Sequence, residues 1–248
     1  MKTKSLLTAV GIAASLSFVP ASNATIVDIE TSLGTIQVNL FDESTPKTVA
    51  NFLAYIEDDS YINTVIHRSV DGFVVQGGGF TFNGEALQAI ETKGTVDNEP
   101  VWSNQAGTIA MAKLSGDPDS ATSQWFFNVA NNSANLDNQN DGFTAFGQVV
   151  SGMEVVEAIN NLDDCSETPM VNYDTSDCSV VPGQENFVSI VSVTIVDDAT
   201  NTEDSVQKVP STKISVPTPT PGGDSSSSGG TMSFALLGLL GLARLFRK

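Results

Sequence analysis

The sequence predicts a mainly β fold built from antiparallel strands, and three observations predict it. Just after residue 24, apolar and polar residues alternate on both sides of a glycine-containing turn. Short β-like runs separated by turn residues then recur through the middle of the chain. Helical periodicity occurs in only two stretches, and these lie far apart. Helices placed that way argue against a doubly wound parallel sheet and for an antiparallel barrel.

The elements follow in chain order. Val27 and Ile29 interleave with Asp28 and Glu30, and Ile36, Val38 and Leu40 interleave with Thr35, Gln37 and Asn39. Ser32-Leu33-Gly34 joins the two runs as a hairpin turn. Thr45 followed by Pro46 reads as an N-cap with proline at the first helical position. Val49, Phe52, Leu53 and Ile56 then fall on one helical face. Strand-like runs are expected near residues 65–67, 73–76, 107–112, 124–129 and 144–150. A second helix is expected over 153–162, with Val155, Val156 and Ile159 inward, and a last strand over 187–196.

The ends of the chain read differently. Lys2 and Lys4, an apolar run from Leu6 to Val19, Pro20 and the small residues Ala21–Ala24 fit a secretory signal peptide better than a buried first helix. Residues 25–202 then form one domain with room for a sizeable core. Pro210, Pro217, Pro219, Pro221 and the Gly/Ser run 222–230 mark residues 203–230 as a linker. Residues 231–248 are a short apolar segment with the basic end Arg244, Arg247 and Lys248. That tail is similar to a GlyGly-CTERM sorting signal, which implies membrane engagement followed by trimming; a weak anchor with its basic end in the cytoplasm is the alternative.

The net charge is −18, from 29 acidic and 11 basic residues, and such a surface repels phosphate backbones, so nucleic acid is not an expected partner. Cys165 and Cys178 sit in a polar stretch, 163–186. In an exported protein the pair forms a disulfide most simply, and metal binding is the alternative, though no histidine lies nearby.

His67 is the only histidine, so any Ser-His-Asp or Cys-His arrangement would be built on it. No nucleophile elbow, Walker loop or HExxH helix is present. The run from Asp137 to Gly142 imitates an EF-hand start, but Gln139 and Gln148 stand at ligand positions, so it reads as a surface loop. Gly77-Gly78-Gly79 has no dinucleotide-binding context and reads as a turn or close-packing site. No metal or cofactor is called for.

What remains is a set of ordered segments. They are His67-Arg68-Ser69-Val70-Asp71-Gly72-Phe73-Val74-Val75-Gln76-Gly77-Gly78-Gly79, then Gly107 to Ala112, Ser123 to Phe127, and Phe143 to Gly147. With the helix start at Thr45-Pro46, they resemble the cyclophilin family in content and order. The resemblance implies a closed antiparallel eight-stranded barrel capped by two α-helices. It also implies peptidyl-prolyl cis-trans isomerase activity on proline-containing polypeptides, by a monomer. Export implies a periplasmic, envelope or surface location and a role in folding exported proteins. The alternatives are a non-catalytic binding module for Pro-containing segments and a surface-displayed interaction protein.

By resemblance, Arg68, Gln76, Phe73 and Phe126 are the catalytic residues, and Val74, Met111, Ala112, Leu136 and Phe143 line the substrate pocket. His67 carries over as a structural neighbour of Arg68, not as a base. Val74 stands where the family commonly has methionine, Phe143 where many members have histidine, and Asn135 where a tryptophan often binds cyclosporin. These departures lead to an expectation of weak cyclosporin inhibition. Residues 163–186 have no clear family equivalent.

Overall fold

The computed structural model describes residues 25–197 and 202–213. The segments expected to be a signal peptide, most of a linker and an apolar tail lie outside them. The predicted hairpin forms β1 (Ile26–Thr31) and β2 (Gly34–Leu40), with Val27, Ile29, Ile36 and Val38 buried and Asp28, Glu30, Thr35 and Gln37 less so. The helix starting at Pro46 is α1 (Pro46–Glu57), which buries Thr48, Val49, Phe52 and Tyr55. Thr45 holds the N-cap position, but its hydroxyl donates to Phe41 O. The N–H groups of Lys47 and Thr48 are satisfied instead by the Glu99 carboxylate, an anion at the positive end of the helix.

The remaining elements are β3 (Arg68–Val70), β4 (Val74–Gly77), β5 (Phe80–Phe82), β6 (Leu87–Ala89), β7 (Thr108–Met111), β8 (Trp125–Asn128) and α2 (Ser133–Leu136). They are followed by β9 (Ala145–Ser151), α3 (Met153–Asn160), β10 (Asp164–Cys165), β11 (Thr168–Pro169) and β12 (Ile190–Asp197). Eight of the strands make one antiparallel sheet, ordered β12-β1-β2-β9-β7-β8-β4-β3. Its outer strands β12 and β3 do not ladder with each other. The edges meet through the stretches just before them: Asn63 N–H donates to Ile190 O at 2.8 Å, Ile190 N–H to Thr64 O at 2.7 Å and Ile66 N–H to Val188 O at 2.9 Å. That is why the expected run at 65–67 is not a strand of the ladder: it bridges the edges, and pairing with β4 starts at Arg68.

One face of the sheet fills the main core, with Val75, Ile109, Met111, Trp125, Phe127 and Phe146 packed against α1 and α3. Gly78 shows how tightly: its φ is +75°, and a Cβ there would lie 2.6 Å from the Trp125 ring nitrogen. Three features were not expected from sequence. They are the hairpin β5–β6, the one-turn helix α2, and the short hairpin β10–β11 inside residues 163–186.

The compositional boundary at 203 does not coincide with the end of packing. Residues 202–213 lie as a strap across the domain, because they carry groups that the domain needs to bury and pair. The buried Glu203 accepts from Glu43 N–H at 2.9 Å, from the Ser44 hydroxyl and from Lys208 Nζ at 2.5 Å. Further along, Ser103 N–H donates to Val209 O, Ser211 N–H to Val101 O, and Lys213 pairs with Asp141.

Candidate active site

Antiparallel pairing places the predicted residues in one row. Arg68 on β3 opposes Gln76 on β4, Gln76 opposes Phe126 on β8, and Phe126 opposes Ala110 on β7. Directly opposed residues share a face and lie about 5 Å apart between Cβ atoms, so a cation, an amide and an aromatic ring stand side by side. This face is opposite to the main core, because Val75, Ile109 and Phe127 alternate inward.

A second apolar cluster covers the far end of the row. Val74, Ala110, Phe126, Leu136, Phe143 and Ala145 are buried together, with Phe73, Trp102 and Ala112 packed against them. Phe126 and Phe143 meet edge to face, with ring centroids 5.8 Å apart. Phe126 keeps 4 % of its surface and Gln76 5 %, whereas the Arg68 side chain keeps 21 %. The arrangement is a buried apolar cluster beside a more exposed cation.

Met111 is the correction. It was expected to line the pocket but belongs to the main core, packed with Trp125 and Phe127. Strand alternation decides this: Ala110 and Ala112 point to the site side, so the residue between them points inward. Ala110, which was not singled out from sequence, is buried in the cluster directly opposite Phe126.

The polar contacts of the row run outward. The Gln76 amide nitrogen donates to Gln124 Oε1 at 2.9 Å, and Arg68 Nε donates to Glu167 Oε2 at 2.7 Å. His67 is T-stacked on Phe80 with centroids 4.7 Å apart, and burial pushes its pKa down to about 4. It is therefore neutral at pH 7.

A buried polar network holds this cluster in place. The Asn132 side-chain nitrogen donates to Phe73 O at 2.9 Å and to Asn128 Oδ1 at 2.8 Å. Asn128 donates to Asn104, which in turn donates to Asp137 and to Phe143 O. Asp137, next to Leu136, also accepts from Ser103, from Asn104 N–H and from Thr212 of the strap. Its burial raises its pKa, but these donors outweigh burial and hold it below the usual carboxylate value. Its carboxylate is thus committed to hydrogen bonds within the fold. On the other flank, Asn160 of α3 accepts from Gly72 N–H and donates to Ser69 and Val70 O, fixing the turn between Arg68 and Phe73.

Lys113 was also missed. Its ammonium donates to Asn140 O and Gly142 O and lies 4.9 Å from the Phe143 ring centre, and burial lowers its pKa to about 8. Only its position beside Ala112 could have drawn attention to it, since these supporting residues follow no period or motif. The expected disulfide is present, Cys165–Cys178 with an S–S distance of 2.04 Å.

The comparisons agree with the geometry. The family described as "Cyclophilin type peptidyl-prolyl cis-trans isomerase/CLD" matches residues 26–180. A peptidyl-prolyl cis-trans isomerase of Acinetobacter baylyi is 41% identical over 141 residues, covering 56% of this chain and 73% of that protein. Peptidyl-prolyl cis-trans isomerase A of Dickeya dadantii is 40% identical over 177 residues, covering 68% of this chain and 91% of it. In fold, the chain resembles the crystal structure of a Cryptosporidium parvum cyclophilin type isomerase, with TM-score 0.53, 24% identity, and coverage of 69% of this chain and 97% of that one. The chain belongs to the cyclophilin-type family and is a peptidyl-prolyl cis-trans isomerase.

Proposed function

We propose that the enzyme assists folding of exported proteins by turning over their Xaa-Pro bonds in the slot between Arg68 and Phe143. Rotation about a peptide C–N bond is opposed by about 18–20 kcal/mol of lost resonance. Xaa-Pro bonds populate both isomers yet exchange over tens to hundreds of seconds. A catalyst needs no nucleophile or proton shuttle for this. It must favour the twisted amide over either planar form.

The residue row supplies what that requires. As the amide twists, the prolyl nitrogen regains a lone pair, and the Arg68 guanidinium is the donor that meets it. Arginine suits the task because its charge is permanent and its donors lie in one plane. Phe126, Val74, Leu136 and Phe143 hold the proline ring, with Ala110 and Ala112 at the base and edge of the slot. Phe73 and Gln76 support the substrate backbone. The neutral His67 takes no proton in the cycle. The single observation that carries this reading is the cation, amide and ring at directly paired positions of three strands.

Export rests on the N-terminal pattern, on the disulfide and on Thr25. The Thr25 backbone nitrogen donates to Asp42 Oδ2 at 2.6 Å, so cleavage after Ala24 would place the new α-ammonium on a carboxylate. Periplasmic or envelope location, membrane contact through residues 231–248 and the monomeric state belong to the same reading. Weak inhibition by cyclosporin is part of it, since Asn135 is an exposed amide on α2.

An isomerisation assay on Xaa-Pro peptides tests the reading. Arg68→Ala and Phe126→Ala lower kcat/KM by about a hundredfold, as expected for loss of a transition-state donor or of the ring that orients it. Equal rates in wild type and both variants would leave only a binding module.

A further inference from the structure

We propose that Glu167 is a positioning residue for Arg68, holding the guanidinium by Nε so that its terminal nitrogens are left to meet the substrate. The proposal rests on the reading of Arg68 as the catalytic donor. The first observation is the pair itself, Arg68 Nε to Glu167 Oε2 at 2.7 Å. A bond at Nε uses one of the five donors and fixes the plane of the other four. A long side chain loses rotamer freedom when it binds, and fixing it beforehand removes that cost from the reaction.

The second observation is independent and concerns the backbone. Cys165 pairs with Thr168, so Ser166 and Glu167 form a two-residue hairpin turn. Their φ values are +55° and +69°. Such turns favour Asn-Gly because φ is positive at both positions, and a glutamate there is strained. Strain of this kind persists where the surroundings over-determine it, and it clusters at functional sites.

Here the surroundings do over-determine it. Ser69 N–H donates to Glu167 O at 2.6 Å, Thr168 Oγ1 donates to His67 O at 3.0 Å, and Glu167 N–H donates to Asp164 Oδ1 at 2.7 Å. The hairpin is thus bonded to the residues on both sides of Arg68. The Cys165–Cys178 disulfide anchors the strand that enters the turn. Met170, just beyond the hairpin, packs with the buried Val65 and Phe187. This gives residues 163–186 a role: they aim the arginine.

A carboxylate beside the donor also offsets part of its charge. Both groups are open to water, with 21 % and 48 % of their side-chain surfaces exposed, so that offset is screened and the orienting effect wins.

The test uses the intact, disulfide-bonded protein and an Xaa-Pro peptide. Glu167→Gly removes the carboxylate while suiting the turn, so the thermal midpoint stays level or rises while kcat falls about three- to tenfold with KM little changed. Glu167→Gln, which keeps an acceptor without the charge, falls between. In an Arg68→Ala background, Glu167→Gly has no further effect. A wild-type kcat in Glu167→Gly overturns the proposal, and so does an equal further loss in the Arg68→Ala background. Wild-type activity in Arg68→Ala alone would instead sink the reading of Arg68, which separates the two failures.

Discussion

The hairpin β10–β11 and the strap at 202–213 support the same residue row, and they do it with opposite chemistry. The hairpin meets the row at Arg68 through an ion pair open to water, a strained turn and a disulfide. The strap meets the apolar end through groups almost entirely buried, Glu203 and Asp137, each satisfied by several donors. On the reading proposed above, walls that must favour a twisted amide over a planar one have to stay in place, and dry, saturated hydrogen bonds provide that. On the same reading, a guanidinium that meets different substrates can stay wetter and be steered by one contact. The difference predicts that damage to the strap side costs stability first and takes activity with it, whereas damage to the Arg68–Glu167 contact reads out as rate.

The largest effect is expected at Asp137. Asp137→Ala deletes the acceptor of five hydrogen bonds, from Ser103, Asn104 and Thr212. Buried donors left without partners cost about 1–3 kcal/mol each before relaxation, so a net loss of about 4 kcal/mol is expected in urea unfolding. Activity falls with it, because Leu136 and Phe143 are tied to the same loop. A loss below about 1 kcal/mol would break the contrast, since the strap side would then not depend on its buried network.

The sequence was legible where periodicity or motif order speaks. The alternation at 26–40 gives β1 and β2 with their buried faces, and the run from Arg68 to Gln76 gives β3, its turn and β4. Most of the second apolar cluster was legible too, because Val74, Phe126, Leu136 and Phe143 were singled out from sequence and gather there. Met111 was misplaced because a motif match ignores which way a strand residue faces. Asn104, Asn128, Asn132 and Asn160 were invisible because buried amides follow no period and gain meaning only from distant partners. Glu167 was hidden for the same reason: it is 99 positions from Arg68. The strap read as linker since its composition is polar, and the burial of Glu203 is a tertiary fact.

A smaller effect belongs to the hairpin. Replacing Cys165 and Cys178 together by serine opens a short loop, and chain entropy sets the stability loss at up to about 3 kcal/mol. The loss in kcat should not exceed that of Glu167→Gly, because freeing the strand that enters the turn loosens the hold of the Glu167 carboxylate on Arg68 without removing it. Full activity with the expected loss of stability would make the disulfide a staple with no part in aiming Arg68.

The smallest effect links the strap to the start of the domain. Asp42 accepts from Thr25, and burial, helped by the nearby Glu203, raises its pKa to about 6 against donation from Thr25 that lowers it. A carboxyl raised in the folded state adds stability at low pH and loses it as pH climbs from about 4 through about 6. With residues 1–24 attached, the thermal midpoint should therefore decline slightly over that window, and Asp42→Asn should remove the decline. Once cleavage after Ala24 turns the Thr25 nitrogen into an ammonium, the attraction favours the ionised carboxylate and the decline should vanish in the wild type. The gain is under about 1 kcal/mol, since the pair is only partly withdrawn from water. Identical profiles for the cleaved and uncleaved chains would show that a charge on the Thr25 nitrogen does not act on Asp42, and N-terminal sequencing of protein from its host reads separately whether the mature chain begins at Thr25.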